Sequence, residues 1–229
     1  MKKLFGSLKK TVCGQSKDPT LGGRTTFLLL TALCSLLTIS IGQSQWLETT
    51  IYVPDSLCGI AYPRAFTYNP TNNKIYVGGE YGDCVIVIDG ANNQKIARIP
   101  VSSYTSALCY NSTGNKVYCA NYDSDNVTVI DGANDSVITT ITVGYGPNAL
   151  VYNPTHNKVY CANYRTSSVT MIDGANDSVI TTIFVGYKPF ALVYSPINNK
   201  VYCANSGSAN VAVIDGVTDS IITTIPVGD

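Results

Sequence analysis

Beyond about residue 60, apolar and polar positions alternate along the chain in short runs. The stretch from 147 to 186 shows this best, with the runs "PNALVYNP", "KVYCANY", "SVTMIDG" and "SVITTIFVG". Alternation with a period of two is typical of β-strands with one buried face. Polar turns separate the runs, including the Asp-Gly step at Asp173, which is typical of a hairpin. We therefore predict four consecutive antiparallel strands here, without a helix.

The same pattern recurs at a constant interval. "YNPTNNKIYV" begins at Tyr68, and related segments begin at Tyr110, Tyr152 and Tyr194, each 42 residues after the last. Four strands in about forty residues is the size of one propeller blade. We predict an all-β fold, a β-propeller with four complete 42-residue, four-stranded blades at 68–109, 110–151, 152–193 and 194–229.

One further strand is predicted before the first blade. "ETTIYV" (Glu48–Val53) is similar to "ITTITV" (Ile138–Val143), the fourth strand of a blade. Residues 45–67 are therefore predicted to hold one surplus strand and its link to the first blade. Two hypotheses follow: either the chain is part of a larger ring, or four blades stand with one strand in excess. We favour the larger ring, because open ends expose unpaired strand edges.

A basic N-terminal segment precedes an uncharged run from Thr25 to Trp46, which is most apolar at Phe27–Gly42. This order is typical of an export signal, and the apolar part is short for a membrane span, which needs roughly 20 residues. We predict that residues 1–44 are a signal peptide or, if uncleaved, an N-terminal anchor. The protein is then expected in the periplasm, at the cell surface or outside the cell.

The overall charge limits the classes of partner. Fifteen basic and fifteen acidic side chains give a net charge of zero, and 13% of residues are charged. A protein that binds nucleic acid through its phosphates normally has a basic excess, so we expect no nucleic-acid partner. The hydrophobic content of 45% argues against disorder.

The run "NKVYCANYDSDNVTVIDGANDSVITTITVGYGP" (Asn115–Pro147) resembles the repeat of the YVTN-family β-propellers, with Cys where that repeat has Val. The resemblance extends from Ala61 to Asp229. It implies a ring of about seven blades and an extracytoplasmic scaffold or binding protein. It supplies no catalytic residues.

The cysteine of "VYCAN" occupies one position in three repeats, as Cys119, Cys161 and Cys203, and Val77 occupies it in the first. Valine cannot bind a metal. Neighbouring sheets pack about 10 Å apart, whereas a disulfide needs Cα atoms within about 7 Å. We predict buried free thiols here, and a core position for Cys109. A Cys58–Cys84 bridge stays open, since export permits it and the spacing does not require it.

Two other residue types have a functional and a structural interpretation. The aspartates of the "IDG" segments could bind cations, or could hold the hairpin turn through their side chains, and we favour the turn. They are Asp89, Asp131, Asp173 and Asp215. The single histidine, His156, is predicted to be a turn residue.

The candidate binding face combines two groups of loops. In a four-stranded meander, the loops between second and third strands emerge on the same side as the links between blades. Both groups carry tyrosines, and their charged residues vary between repeats. Tyrosine offers apolar area with a polar tip, which suits recognition. The candidate residues are Tyr81, Tyr122, Asp123, Asp125, Tyr145, Tyr164, Arg165, Tyr187 and Lys188.

These predictions favour an exported, non-enzymatic scaffold or binding protein without a cofactor, metal site or catalytic residues. Its expected partner is a protein or glycan at the cell surface, and membrane contact is expected only through an uncleaved N-terminal segment. One alternative is a propeller enzyme of the lactonase or dehydrogenase type, and another is an exported nucleic-acid-binding propeller. Possible N-glycosylation sites follow the Asn-x-Ser/Thr rule at Asn111, Asn126, Asn134 and Asn176.

Overall fold

The computed structural model of the chain describes residues 59–228. The predicted export segment, the surplus strand at 48–53 and Cys58 lie outside these residues. Within them, sixteen strands form four sheets and no helix is present. The part of the chain that is described therefore has no helix capable of crossing a membrane.

Each sheet is an antiparallel meander whose strands follow chain order. The first sheet contains β1 (Ala61–Asn69), β2 (Lys74–Tyr81), β3 (Cys84–Asp89) and β4 (Lys95–Pro100). The second contains β5 (Thr105–Asn111), β6 (Lys116–Asn121), β7 (Asn126–Asp131) and β8 (Val137–Thr142). The third contains β9 (Pro147–Asn153), β10 (Lys158–Asn163), β11 (Ser168–Asp173) and β12 (Val179–Phe184). The fourth contains β13 (Pro189–Ser195), β14 (Lys200–Asn205), β15 (Asn210–Asp215) and β16 (Ile221–Pro226).

These sheets confirm the predicted all-β fold of four-stranded repeats. The segments that begin at Tyr68, Tyr110, Tyr152 and Tyr194 start near the ends of the first strands. First strands of successive sheets pack against each other, β1 with β5, β5 with β9 and β9 with β13. Fourth strands lie at the outer edge, where at least half of the residues of each strand are exposed. The sheets thus stack face to face.

Apolar side chains fill the space between neighbouring sheets. Tyr118 and Val129 of the second sheet pack with Val159, Cys161 and Ile172 of the third. The prediction for the repeated cysteines is confirmed, because Cys119, Cys161 and Cys203 are fully buried free thiols. Cys109 is partly buried, and Cys84 is a buried free thiol. A small apolar side chain at this position lets the sheets approach closely.

A buried ion pair connects each sheet to the next. Lys116 Nζ lies 2.7 Å from Asp177 Oδ2, and the Tyr118 hydroxyl donates to Asp177 Oδ1 over 2.5 Å. Lys116 also donates to the backbone carbonyls of Gly174 and Ala175. We call this arrangement the inter-sheet ion pair. It recurs with Lys74, Tyr76 and Asp135, and with Lys158, Tyr160 and Asp219.

A close contact between the first two sheets gives a testable prediction. A Cβ on Gly78 would lie 2.2 Å from Thr105 Cγ2. In the next pair of sheets, Ala120 and Pro147 stand at these two positions. Gly78→Ala is expected to lower the free energy of unfolding by about 1–3 kcal/mol through overpacking. Adding Thr105→Pro should recover most of this loss, because it recreates the neighbouring pair.

Urea denaturation of both single variants and the double variant would measure this coupling. If the double variant loses the sum of what the two single variants lose, then the contact between Gly78 and Thr105 does not determine which residues occupy these positions.

Candidate binding site

The tyrosine face is the side of the sheets formed by two groups of segments. These are the loops 80–83, 122–125, 164–167 and 206–209, and the links 101–104, 143–146 and 185–188. The structure brings the two groups together, as predicted. Tyr122 N donates to Tyr104 O over 2.8 Å, and Tyr164 N donates to Gly146 O over 2.8 Å. Each loop is therefore hydrogen-bonded to the link beside it.

Four aromatic rings form a continuous row across this face. The ring centroids of Tyr104 and Tyr122 are 5.2 Å apart, and those of Tyr122 and Tyr164 are 6.4 Å apart. Phe190 continues the row at 6.4 Å from Tyr164. These separations are within the range for favourable aromatic pairs. The row crosses from the second sheet to the fourth.

Three cationic side chains lie over these rings. Arg165 Cζ is 4.5 Å from the centroid of Tyr122, and Lys188 Nζ is 5.9 Å from that of Tyr164. Arg64 Cζ is 5.6 Å from the Tyr104 ring. Cations at such distances are attracted to the electron-rich ring face.

Two carboxylates neutralise the arginines. Asp123 Oδ1 lies 3.2 Å from Arg165, and Glu80 Oε1 lies 3.0 Å from Arg64. The Tyr104 hydroxyl also donates to Glu80 over 3.1 Å. Burial raises the pKa of Tyr104, and the positive charge of Arg64 opposes this rise. The face thus combines aromatic rings with charge pairs that are already satisfied.

Several predicted members lie apart from the row. Tyr81 packs against Tyr62, with ring centroids 5.8 Å apart. Forty-two residues after Tyr81 comes Asp123, and Glu80 is the residue equivalent to Tyr122. The prediction matched Tyr81 with Tyr122, and this match is shifted by one residue from the true repeat. Because neighbouring residues of a strand point in opposite directions, Tyr81 points away from the row.

The remaining predicted members have different environments. Tyr145 and Tyr187 are exposed, and the Tyr187 ring lies 5.9 Å from that of Phe184. Asp125 is a structural residue, since its carboxylate accepts a 2.8 Å hydrogen bond from Gly146 N. Of the predicted set, five residues belong to the row or to the charged groups beside it. They are Tyr122, Asp123, Tyr164, Arg165 and Lys188.

Sequence reasoning missed Arg64, Glu80, Tyr104 and Phe190. Tyr104 has a φ of 60°, and the equivalent residues Gly146 and Lys188 have φ values of 66° and 56°. Only glycine adopts this left-handed conformation readily. Tyr104 and Lys188 could have been noticed in the sequence, because they are large residues at a position where another repeat has glycine. Strained positions of this kind concentrate at functional sites.

The predicted glycosylation sites differ in accessibility. Asn111 is fully buried, and its side-chain amide donates to Asn157 Oδ1 over 2.9 Å. The folded chain therefore cannot present Asn111 to a glycosylating enzyme. Asn126 is partly buried and accepts a hydrogen bond from Asn121. Asn134 and Asn176 are exposed in the hairpins opposite the tyrosine face.

The "IDG" aspartates are turn residues, as we favoured. Asp131 Oδ1 and Asp173 Oδ1 each accept a 2.7 Å hydrogen bond from the amide two residues later. His156 also lies in a turn, where Asn199 is 3.2 Å from its Nδ1. Within residues 59–228, no group of three His, Cys, Asp or Glu side chains is placed to hold a metal ion.

Comparison with solved structures gives the class of fold. A structure titled Kuenenia stuttgartiensis hydrazine synthase superposes with a TM-score of 0.66 at 22% identity, covering 79% of this chain and 52% of that one. U3-55K gives a TM-score of 0.63 at 15% identity, with coverages of 72% and 52%. The RRP9 WD40 repeats give 0.62 at 16% identity, with coverages of 70% and 50%.

At these identities the likeness shows the fold alone. The four sheets are WD40-like β-propeller blades, and the chain spans about half the length of the solved structures it matches. No protein-family profile and no curated protein sequence matches the chain.

Proposed function

We propose that the chain is an exported, non-enzymatic β-propeller of the YVTN type that binds a glycan or protein at the cell surface through the aromatic row of its tyrosine face. The observation that carries this proposal is the row of Tyr104, Tyr122, Tyr164 and Phe190 with its overlying cations. The YVTN-like pattern of the repeats supports the family, and the basic and apolar N-terminal segment supports export.

The composition of the row favours binding. Tyrosine and arginine are the residues that most often dominate binding energy at interfaces. Their backbone is held by hydrogen bonds between loops and links, such as Arg165 N to Tyr145 O at 3.0 Å. A surface held in place before its ligand arrives loses little conformational entropy on binding.

The chemistry of the reactive groups favours a non-enzymatic role. Asp123 and Glu80, the carboxylates beside the row, are paired with arginines. The thiols of Cys119 and Cys203 are buried between sheets, and burial raises the pKa of each to about 12. A protonated, buried thiol is a poor nucleophile.

Replacement of the central tyrosines tests the binding role. Ser206 stands at the position of Tyr122 and Tyr164 in the fourth sheet, so serine is compatible with this loop. The Tyr122→Ser/Tyr164→Ser variant of the full chain is expected to lose at least about tenfold in affinity for its ligand, since aromatic anchors dominate binding energy. Arrays of glycans and of cell-surface peptides would identify the ligand and measure the loss. Tyr145→Ala, at an exposed tyrosine outside the row, is the matched control.

Unchanged binding by the serine variant would contradict the proposal. Turnover of lactones or alcohols by the purified chain would instead establish the enzymatic alternative. Tight binding to nucleic acid would establish the alternative of an exported nucleic-acid-binding propeller. Protease treatment of intact cells tests the location at the cell surface, because a propeller displayed there is accessible to the protease.

A further inference from the structure

The link between the third and fourth sheets differs from its neighbour in two large apolar residues. It has the sequence "FVGYKPF" (Phe184–Phe190), whereas the preceding link has "TVGYGPN" (Thr142–Asn148). Phe184 and Phe190 are 60% and 51% exposed. Two exposed phenylalanines at positions where the preceding link has threonine and asparagine indicate a contact surface.

The exposed rings of this link form two pairs. Phe184 packs against Tyr187 at 5.9 Å, and Phe190 packs against Tyr164 at 6.4 Å, both edge to face. Lys188 comes between Tyr187 and Phe190 in the chain, and its ammonium group lies 5.9 Å from the Tyr164 centroid. We call these five residues the aromatic link.

The loop between β14 and β15 holds the backbone of the aromatic link. Ser206 donates to Lys188 O from its amide at 3.0 Å and from its hydroxyl at 2.9 Å. Gly207 N donates to Tyr187 O at 2.9 Å, and Tyr187 N donates to Ser208 Oγ at 2.7 Å. These four hydrogen bonds hold the backbone of Tyr187 and Lys188 in place before a ligand arrives.

Among residues 59–228, Lys188 is the cation of the tyrosine face that forms no ion pair. Arg64 and Arg165 are paired with Glu80 and Asp123, whereas Lys188 has no carboxylate within ion-pair distance among residues 59–228. Lys188 also has a φ of 56°, at the position where the preceding link has a glycine. A charged residue at a position that favours glycine is a candidate for a functional role.

We propose that the aromatic link binds an acidic saccharide, whose rings pack on the exposed phenylalanines and whose carboxylate or sulfate pairs with Lys188. This inference rests on the proposed function and names its class of ligand. Phenylalanine presents an apolar ring to the C–H side of a sugar. The lysine ammonium is a compact point charge suited to an anionic group.

Calorimetry with the full chain and a matched pair of ligands tests the role of charge. The probes are an oligogalacturonate and its methyl ester, which differ in charge at each carboxyl group, together with a sulfated oligosaccharide. An acidic probe is expected to bind at least about tenfold more tightly than the ester, and the difference should shrink at high salt because salt screens exposed charges.

Residues from the neighbouring link provide matched variants. Lys188→Gly is expected to reduce binding of the acidic probe to the level of the ester, and to leave ester binding unchanged. Phe184→Thr combined with Phe190→Asn is expected to weaken both probes about tenfold, since aromatic anchors dominate binding. Tyr145→Ala should change neither, and thermal unfolding would confirm that every variant is folded.

Equal binding of acid and ester, failure of every acidic saccharide to bind, or binding of acidic peptides instead would overturn this inference. A neutral glycan or a peptide that binds, and whose binding Tyr122→Ser/Tyr164→Ser removes, would leave the proposed function standing. If that serine variant retains full binding, the proposed function fails as well.

Discussion

Asp177→Ala is expected to lower the free energy of unfolding by about 3–5 kcal/mol, which is the usual cost of removing one partner from a buried ion pair. The side chains of Lys116 and Asp177 are only 15% and 7% exposed. Without the carboxylate, the Lys116 ammonium stays buried and unpaired, and the Tyr118 hydroxyl loses its acceptor. Urea denaturation followed by circular dichroism would measure the loss.

Asn93→Ala is the matched control for this prediction. Asn93 is equivalent to Asp177 in the first sheet, and the two residues have φ values of 60° and 61°. The backbone strain introduced by alanine is therefore the same in both variants. Of these two residues, Asp177 pairs with a buried lysine, whereas the neutral side chain of Asn93 forms no ion pair. Equal losses in the two variants would show that strain, and not the ion pair, sets the stability.

A third variant isolates the unpaired charge. Adding Lys116→Met to Asp177→Ala is expected to recover part of the loss, because it replaces the stranded ammonium with an apolar side chain. Apolar replacements of buried ion pairs are often neutral or stabilising.

The second prediction is cooperative unfolding at alkaline pH. Burial raises the pKa of the Cys119 and Cys203 thiols from 9.0 to about 12, and raises that of Cys161 further. Burial also raises the pKa of Tyr118 above its ordinary value of 10.0, as does its hydrogen bond to Asp177.

The sign of the effect follows from proton binding. A raised pKa means that the folded protein holds the proton more tightly than the unfolded chain. Stability is therefore complete below the unfolded pKa and falls as the pH rises toward the folded pKa. Each buried thiol removes about 1.4 kcal/mol per pH unit between pH 9 and the folded value. The three repeated thiols together remove about 4 kcal/mol per pH unit, and the buried tyrosines add to this above pH 10.

Circular dichroism between neutral and strongly alkaline pH would follow this transition. The variant Cys119→Val/Cys161→Val/Cys203→Val is expected to fold, because Val77 fills this position in the first sheet. Its unfolding midpoint should shift to higher pH, since valine does not titrate. A midpoint that does not move would show that the thiols make no contribution to alkaline unfolding.

Much of the fold could be predicted because the same local sequence patterns recur in every repeat. Alternation of apolar and polar residues sets the strands, and the Asp-Gly steps set the hairpins, so the fourfold array of sheets followed from the period. The burial of Cys161 followed from Val77 at the equivalent position. These inferences need only residues within one strand or turn, or the comparison of equivalent positions.

The inter-sheet ion pair could not be predicted from such local patterns. Lys116 and Asp177 are separated by 61 residues, which is more than one repeat, and they meet only because the second strand of one sheet faces the hairpin of the next. The set of side chains that meet on the tyrosine face was predicted in part for a related reason. A shift of one residue moves Tyr81 out of the row, and the positions of Arg64 and Phe190 depend on how the sheets stack.

The inter-sheet ion pair gives the stack a direction. In the two inner sheets, the second strand offers an ammonium and a phenol to the following sheet, and the hairpin offers a carboxylate to the preceding one. An inner repeat therefore carries both the lysine that pairs with the following sheet and the aspartate that pairs with the preceding sheet. Two copies of such a repeat placed side by side can form the same ion pair with each other. Duplication of the gene segment that encodes one 42-residue repeat can lengthen such an array in one step, without compensating substitutions.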